Sequence, residues 1–277
     1  MNVLRISSFS EGGIGGNPAG VVIADHLPSA DVMQATAAEV GFSETAFAAR
    51  TDEGAWRVRY FSPESEVPFC GHATIALGAA LAGEFGNGIF KLILNETAIT
   101  VDGQKTADGI EAALQSPATR SNPASPELIA EVLRLFDYDA ADLDERIPPA
   151  EIHGGADHFA VTLNSREALS RMSYDLEKGK ALMNKHGWVT ILLSYSEKPS
   201  LFHTRNAFAS GGVMEDPATG AATAAYAGYL RDIGWPHGGQ IEVRQGQDMG
   251  YPSLISAGIG EKPGSSIRVW GAARLMD

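Results

Sequence analysis

The sequence predicts an α+β fold of two similar halves, each a set of short strands wrapped around one buried helix. Three observations predict it: two helical stretches that are apolar and small on every side, a match between them along the chain, and many short strand-like segments around each. The first stretch runs Glu66-Val67-Pro68-Phe69-Cys70-Gly71-His72-Ala73-Thr74-Ile75-Ala76-Leu77-Gly78-Ala79-Ala80-Leu81-Ala82-Gly83. A helix on a domain surface would carry one apolar and one charged stripe. This one has no polar face beyond His72 and Thr74, so it is expected to be buried all round with neighbouring backbone packed close. Its polar groups gather at the amino end, where unbonded N–H groups and the helix dipole favour an anion.

The second stretch, from Glu215-Asp216-Pro217-Ala218-Thr219-Gly220-Ala221 to Leu230, has the same texture. The offset that carries Cys70 onto Thr219 pairs Glu66 with Glu215, Pro68 with Pro217, Gly71 with Gly220, Thr74 with Thr223 and Leu81 with Leu230. Matches come easily in Ala/Gly-rich sequence. Here a polar opening and an apolar body agree together, which favours an internal repeat over two unrelated buried helices.

The remaining elements follow from turn and cap chemistry. Asn2–Phe9 and Gly20–Ala24 read as strands on either side of the glycine-rich loop 11–19. No nucleotide fingerprint follows that loop, so its glycines are expected to bring backbone close to a ligand or to another chain segment. Ser29 or Asp31 caps a helix through Val40 that Gly41 ends, and Ser43–Arg50 and Ala55–Phe61 form a hairpin. Past the first buried helix come strands Ile89–Leu94, Ala98–Val101 and Ile110–Gln115. The segment from Ser116 to Pro126 holds three prolines and reads as a linker. Beyond it are a helix over Glu127–Phe136, strands Ile147–His153 and His158–Leu163, a helix over Tyr174–His186, and strands Val189–Tyr195 and Leu201–Phe208. Strands Gln240–Gln245, Ser253–Ala257 and Ser266–Leu275 follow the second buried helix.

Composition narrows the function classes. The 277 residues include 34 Asp and Glu against 21 Lys and Arg, for a net charge of −13. That balance argues against nucleic acid and anionic lipid as partners, yet leaves a local anion site at a helix end open. A single cysteine gives no disulfide framework and fits a reducing, cytoplasmic setting. The longest uncharged run, Val67 to Gly83, contains a histidine and makes a poor membrane span.

Four residues could carry chemistry. Glu44 is one carboxylate among apolar and small neighbours in Gly41-Phe42-Ser43-Glu44-Thr45-Ala46-Phe47, where desolvation would suit it to proton transfer; the alternative is a glutamate at a strand edge pointing to solvent. His72, in the first turn of the buried helix, would stay neutral against the dipole and exchange a hydrogen bond, or else be a satisfied core histidine. Asp216 stands before the second helix, as a site carboxylate or a cap. Cys70 is either a thiolate activated by a helix end or, as the surroundings favour, a small buried hydrophobe. His153 and His158 flank Asp157 but in a strand-loop-strand stretch with no further ligand cluster, so no metal is expected.

Taken together, Gly16-Asn17-Pro18-Ala19-Gly20-Val21-Val22, Gly41-Phe42-Ser43-Glu44-Thr45-Ala46-Phe47, Val67-Pro68-Phe69-Cys70-Gly71-His72-Ala73-Thr74, Glu215-Asp216-Pro217-Ala218-Thr219-Gly220 and Gln245-Gly246-Gln247-Asp248-Met249-Gly250-Tyr251-Pro252-Ser253 resemble the phenazine-biosynthesis PhzF-like family along the whole chain. The resemblance implies a diaminopimelate epimerase-like fold of two β-barrel-like halves, each around a central helix, with the site in the cleft between them. The expected halves are 1–118, joined by the C-terminal strand 265–277, and 119–264. It also implies a homodimer without a cofactor. Glu44 is then the general acid/base that moves a proton between substrate carbons, and His72 and Asp216 bind and orient the substrate. Backbone N–H groups around Gly71, Gly220 and Ala221 receive its carboxylate, and Asn17, Cys70 and Thr219 complete the binding set.

Two departures bear on the substrate. Ala221 stands where the phenazine enzymes carry a serine, and Tyr251 where many relatives have arginine. Both remove hydrogen-bonding capacity and argue against the phenazine precursor itself. With one cysteine, a two-thiol racemase is excluded by counting. The expected activity is a cofactor-independent isomerase acting on a small carboxylated substrate. Its competitors are a non-catalytic binding or scaffold protein on the same fold, and a single-cysteine epimerase or dehydratase using Cys70 with Glu44.

Overall fold

A computed structural model describes residues 1–107 and 109–276. The chain divides into two compact units, Met1–Gln115 with Trp270–Asp277, and Ser116–Val269.

The first unit starts with the antiparallel pair β1 (Leu4–Ser8) and β2 (Asn17–Ala24). Helix α1 (Ala30–Val40) returns the chain so that β3 (Thr45–Arg50) lies parallel to β2. Gly41 ends α1 in the left-handed conformation at φ 72°, its N–H donating to the Ala37 carbonyl, whereas Ser29 holds the cap position without a side-chain bond. β4 (Trp56–Phe61) pairs antiparallel with β3, and the two-residue β5 (Glu66–Val67) folds back on β4. Helix α2 (Gly71–Phe85) follows, then β6 (Gly88–Ile93), parallel to β4, and the antiparallel β7 (Ala98–Thr106) and β8 (Gly109–Gln115). The C-terminal strand Arg268–Leu275 pairs with both β1 and β8. Among the described residues these pairings close a barrel around α2.

Residues His72 to Ala82 of α2 are all buried, as its lack of a polar face predicts. The packing is close enough to require glycine. A Cβ on Gly78 would fall 2.4 Å from Val101 Cγ2, and one on Gly103 of β7 would fall 2.3 Å from the Gly78 carbonyl oxygen. The glycine-rich loop before β2 serves the same end. A Cβ on Gly16, at φ 84°, would lie 2.5 Å from Ser7 Oγ, so the close approach there is to β1.

The second unit contains β9 (Arg120–Pro123), α3 (Pro126–Leu135), β10 (Ala150–His153), β11 (Asp157–Leu163), α4 (Arg166–Ser170), α5 (Leu176–His186), β12 (Thr190–Lys198), β13 (Leu201–Ala207), β14 (Glu215–Asp216), α6 (Gly220–Asp232), β15 (Gln240–Gln245) and β16 (Ser253–Gly258); β17 is the C-terminal strand (Arg268–Leu275). Its pairings repeat those of the first unit. β10–β11 is antiparallel and β11–β12 parallel with helices in the crossover, as in β1–β2–β3. β12–β13 is antiparallel, the two-residue β14 folds onto β13, and β15 runs parallel to β13, as with β3, β4, β5 and β6. Helix α6 is buried from Ala222 to Arg231. Val132 of α3, Leu169 of α4 and Met183 of α5 share one buried apolar cluster with Phe159 of β11 and Ile191 of β12.

The proline-rich segment is not a slack linker. Arg120–Pro123 pairs with Ala150–His153, and Pro126 is the first residue of α3, whose Ser125 cap accepts the Leu128 N–H at 3.2 Å. Proline at a strand end or a first helical position gives up an N–H that had no bond to make, so these prolines mark boundaries. β5, β14 and α4 escape a sequence reading because two to five residues carry no periodicity. No helix of the described residues is long and apolar enough to cross a membrane.

Candidate active site

Glu44 precedes β3, and its carbonyl accepts the Gly20 N–H at 3.1 Å, which ties it to β2. Cys70 holds the cap position of α2 in an extended conformation, but its thiol does not cap the helix. Its carbonyl instead accepts the Thr74 N–H at 3.0 Å and the Thr74 hydroxyl at 2.7 Å. The Tyr60 hydroxyl lies 2.7 Å from that same Thr74 oxygen. Burial pushes the Tyr60 phenol well above its ordinary range, so it stays protonated as part of this framework. His72 is the second residue of the helix, and its carbonyl accepts the Ser8 hydroxyl at 2.7 Å.

These anchors bring three of the candidate side chains together. His72 Nε2 is 3.3 Å from Glu44 Oε2, and the Cys70 thiol donates to that same oxygen at 3.4 Å. Cys70 Sγ also lies 3.3 Å from His72 Nδ1 and 3.9 Å from Nε2, and Ser43 Oγ is 3.2 Å from Nε2. With a neutral imidazole protonated at Nε2, the Glu44 carboxylate accepts from both neighbours, and the one thiol hydrogen, given to Glu44, is not also given to Nδ1. The Glu44 side chain keeps 18% of its surface accessible against 9% for His72, so the carboxylate is the member open to a ligand. The edge alternative for Glu44 does not hold, since its carboxylate faces the helix end. The cysteine is buried, but among polar partners rather than in an apolar core. Gly71 supplies the first N–H of the helix beside the trio, and Asn17 opens β2 as a buried residue paired with Ser8.

In the second unit Asp216 lies on β14 opposite Asn206. It is not the cap of α6; that position belongs to Thr219, whose hydroxyl donates to Asp216 Oδ2 at 2.5 Å. Gln245 brackets the turn, donating to the Asp216 carbonyl at 2.7 Å and accepting the Thr219 N–H at 3.1 Å. Gly220 and Ala221 are the first two residues of α6. Upstream of each buried helix an arginine two residues before the paired position clasps the repeated glutamate: Arg59 holds Glu66 at 2.7 Å and Arg205 holds Glu215 at 3.1 Å, each through Nε. Hydrogen bonding from Arg59 keeps the Glu66 carboxyl below its ordinary range. Tyr251 is exposed.

His153, Asp157 and His158 are not gathered as ligands. His153 Nδ1 and Arg120 both pair with Asp157, at 2.8 and 2.6 Å, while His158 is fully buried with Nδ1 2.8 Å from Thr190 Oγ1. Ser43, Tyr60, Thr74 and Gln245 support the two sites without having been singled out from the sequence. Ser43 and Gln245 stand inside quoted motifs and could have been found there; Tyr60 meets Thr74 only through the β4–α2 packing.

The model of the phenazine biosynthesis-like protein family matches residues 6–276. An uncharacterized isomerase of Mesorhizobium japonicum is 30% identical over 98% of this chain and 95% of its own. The trans-2,3-dihydro-3-hydroxyanthranilate isomerase of Pseudomonas fluorescens is 30% identical over 92% of this chain and 89% of its own. The crystal structure of the Bacillus anthracis phenazine biosynthesis protein of the PhzF family superposes with a TM-score of 0.87 at 22% identity, covering 99% of this chain and 96% of that one. The fold is diaminopimelate epimerase-like, two barrel-like units each around a buried helix. From the family match over nearly the whole chain and the isomerase relatives that share it, the chain belongs to the phenazine biosynthesis-like, or PhzF-like, family and is an isomerase.

Proposed function

We propose that the protein moves a proton between carbons of a small carboxylated substrate, with Glu44 as the acid/base and no cofactor. One observation carries this reading: Glu44 Oε2, His72 Nε2 and Cys70 Sγ converge at the amino end of a buried helix, the carboxylate accepting hydrogen bonds that can be handed to a substrate. A general base must reach the proton it removes and hold a second position for its return. A carboxylate with two oxygens meets both needs, and His72 orients it while the thiol neutralises part of its charge. The first N–H groups of α2, from Gly71 onward, point out of a helix end that the cap side chain leaves to others, and such an end receives a carboxylate. For His72, Asp216, Thr219, Asn17 and the N–H groups of Gly220 and Ala221 we propose the binding and orienting roles that the family resemblance assigns.

The test is solvent deuterium uptake. Small cyclic and amino-acid-like carboxylic acids are incubated with the protein in heavy water and read by mass spectrometry and NMR. At least one should gain deuterium at carbon in the presence of the wild type. Binding of an acid with no exchange and no turnover across the panel would instead support a scaffold. A second reading takes the 3.4 Å contact between Cys70 Sγ and Glu44 Oε2 as a paired acid and base. It requires Cys70→Ala to abolish the exchange, whereas the Glu44 reading requires the variant to keep a measurable part of it.

A further inference from the structure

We infer that Gln245 is a positioning residue: it fixes the direction of the Thr219 hydroxyl hydrogen and so aims the Asp216 carboxylate at the substrate. The inference rests on the orienting role proposed above for Asp216. Gln245 is fully buried at the end of β15 and spends its amide on the turn before α6. Nε2 donates to the Asp216 carbonyl at 2.7 Å and to Thr219 Oγ1 at 3.0 Å, while Oε1 accepts the Thr219 N–H at 3.1 Å. The two main-chain partners settle which end of the amide is which, since a carbonyl only accepts and an N–H only donates. Thr219 Oγ1 thus receives an amide hydrogen, and its own hydrogen goes to Asp216 Oδ2 at 2.5 Å. The bonds run in one direction, from Gln245 through Thr219 to Asp216, and each polarises the next.

The surroundings are built for this contact. A Cβ on the next residue, Gly246, would fall 2.7 Å from the Pro217 carbonyl oxygen, so only glycine lets the end of β15 lie against the turn. The first unit shows what the shared fold needs at that position. The β13–β15 and β4–β6 registers, matched through the two arginine clasps, set Leu94 where the second unit has Gln245. Leu94 is buried and apolar. A buried amide is costly unless its hydrogen bonds are made, so Gln245 answers to Asp216 and Thr219 rather than to barrel packing. Asp216 keeps partial exposure and can meet a ligand, whereas Gln245 acts only through its neighbours.

Solvent deuterium uptake tests it, in the acid that exchanges best with the wild type. Gln245→Met keeps the side-chain length and removes the amide. Uptake per folded molecule should fall at least about tenfold, the scale on which a displaced orienting group acts. Placed in a Thr219→Val background, the same substitution should change uptake by less than about twofold, because the hydroxyl it acts through is already gone. A merely structural Gln245 would cost the same factor in both backgrounds; that result, or wild-type uptake in Gln245→Met, overturns the inference alone. Full uptake in Asp216→Asn overturns the orienting role of Asp216 and this inference with it. Should Gln245→Met not fold, Gln245→Glu replaces it: the carboxylate still accepts the Thr219 N–H but has no hydrogen to give. If no acid exchanges, crystal structures of the wild type and the variant decide. Thr219 Oγ1 leaving Asp216 Oδ2 supports the inference, and an unchanged contact overturns it.

Discussion

Two glycines on the same buried helix are expected to respond to the same substitution with opposite signs. A Cβ at Gly83 of α2 would find Ile110 Cδ1 at 3.6 Å, an ordinary contact, so Gly83→Ala should stabilise by about 0.5–1 kcal/mol through helix propensity. A Cβ at Gly78 would fall 2.4 Å from Val101 Cγ2 and 3.2 Å from Ala112 Cβ. Val101 and Ala112 are buried and cannot step back into solvent. Overpacking of this kind costs about 1–3 kcal/mol, and the same propensity gain offsets only part of it. Gly78→Ala should therefore end about 1–2 kcal/mol less stable than wild type, separated from Gly83→Ala by about 1.5–3 kcal/mol. At about 2–4 °C per kcal/mol for a chain of this size, the two melting temperatures should differ by roughly 3–12 °C. Urea unfolding followed by circular dichroism measures both. Equal stability of the two variants, or a stabilised Gly78→Ala, would refute the close packing of α2 against β7 and β8 that positions Cys70 and His72.

Burial lowers the His158 pKa to about 3. The unfolded chain binds this proton near the ordinary value of about 6.5, so between those values it holds more protons than the native state. Stability should thus be full above that ordinary value and fall as the pH drops below it, by up to about 1.4 kcal/mol per pH unit from this group. Urea midpoints at neutral and mildly acidic pH should show a shallower fall for His158→Gln; parallel slopes would remove the assignment. The two glutamate clasps should differ in weight. Glu215→Ala removes the carboxylate paired with Arg205, leaving its guanidinium the Ser170 and Met172 carbonyls, and with side-chain exposures of 12% and 5% for the pair should cost about 3 kcal/mol. The Arg59–Glu66 pair is more exposed, at 22% and 28%, so screening should hold Glu66→Ala to about 1 kcal/mol. Denaturation of the two variants side by side checks the order, and a larger loss in Glu66→Ala would reverse it.

Much of this was legible in the chain because glycine, proline and alanine constrain backbone wherever they stand. The all-round apolar character of residues 71–83 predicted burial of α2, and the matched second stretch predicted α6. Gly41 as a helix stop followed from the left-handed conformation that glycine adopts without penalty. The site was readable where its members share a motif, as Ser43 with Glu44 and Cys70 with His72 do. It was unreadable where partners meet only by packing, as Tyr60 meets Thr74 across β4 and α2 and as Gln245 brackets Asp216 and Thr219. The proline-rich stretch does begin where the chain passes from the first unit to the second, after Gln115, but most of it is taken into β9 and α3, because a strand end and a first helical position tolerate proline's lost N–H as readily as a linker does. Cys70 misled in another way: its burial was foreseen, but burial beside a carboxylate and an imidazole depends on β3 reaching the helix end.

The most direct measurement compares deuterium incorporation by wild type and Glu44→Gln in the carboxylic acid that exchanges best with the wild type. The amide keeps the shape and an acceptor for His72 but cannot take a proton. With the variant's fold verified by circular dichroism, the expected result is a loss of exchange of about 10²-fold or more, the usual contribution of a positioned acid/base. Exchange within about twofold of wild type would show that the proton travels by another group.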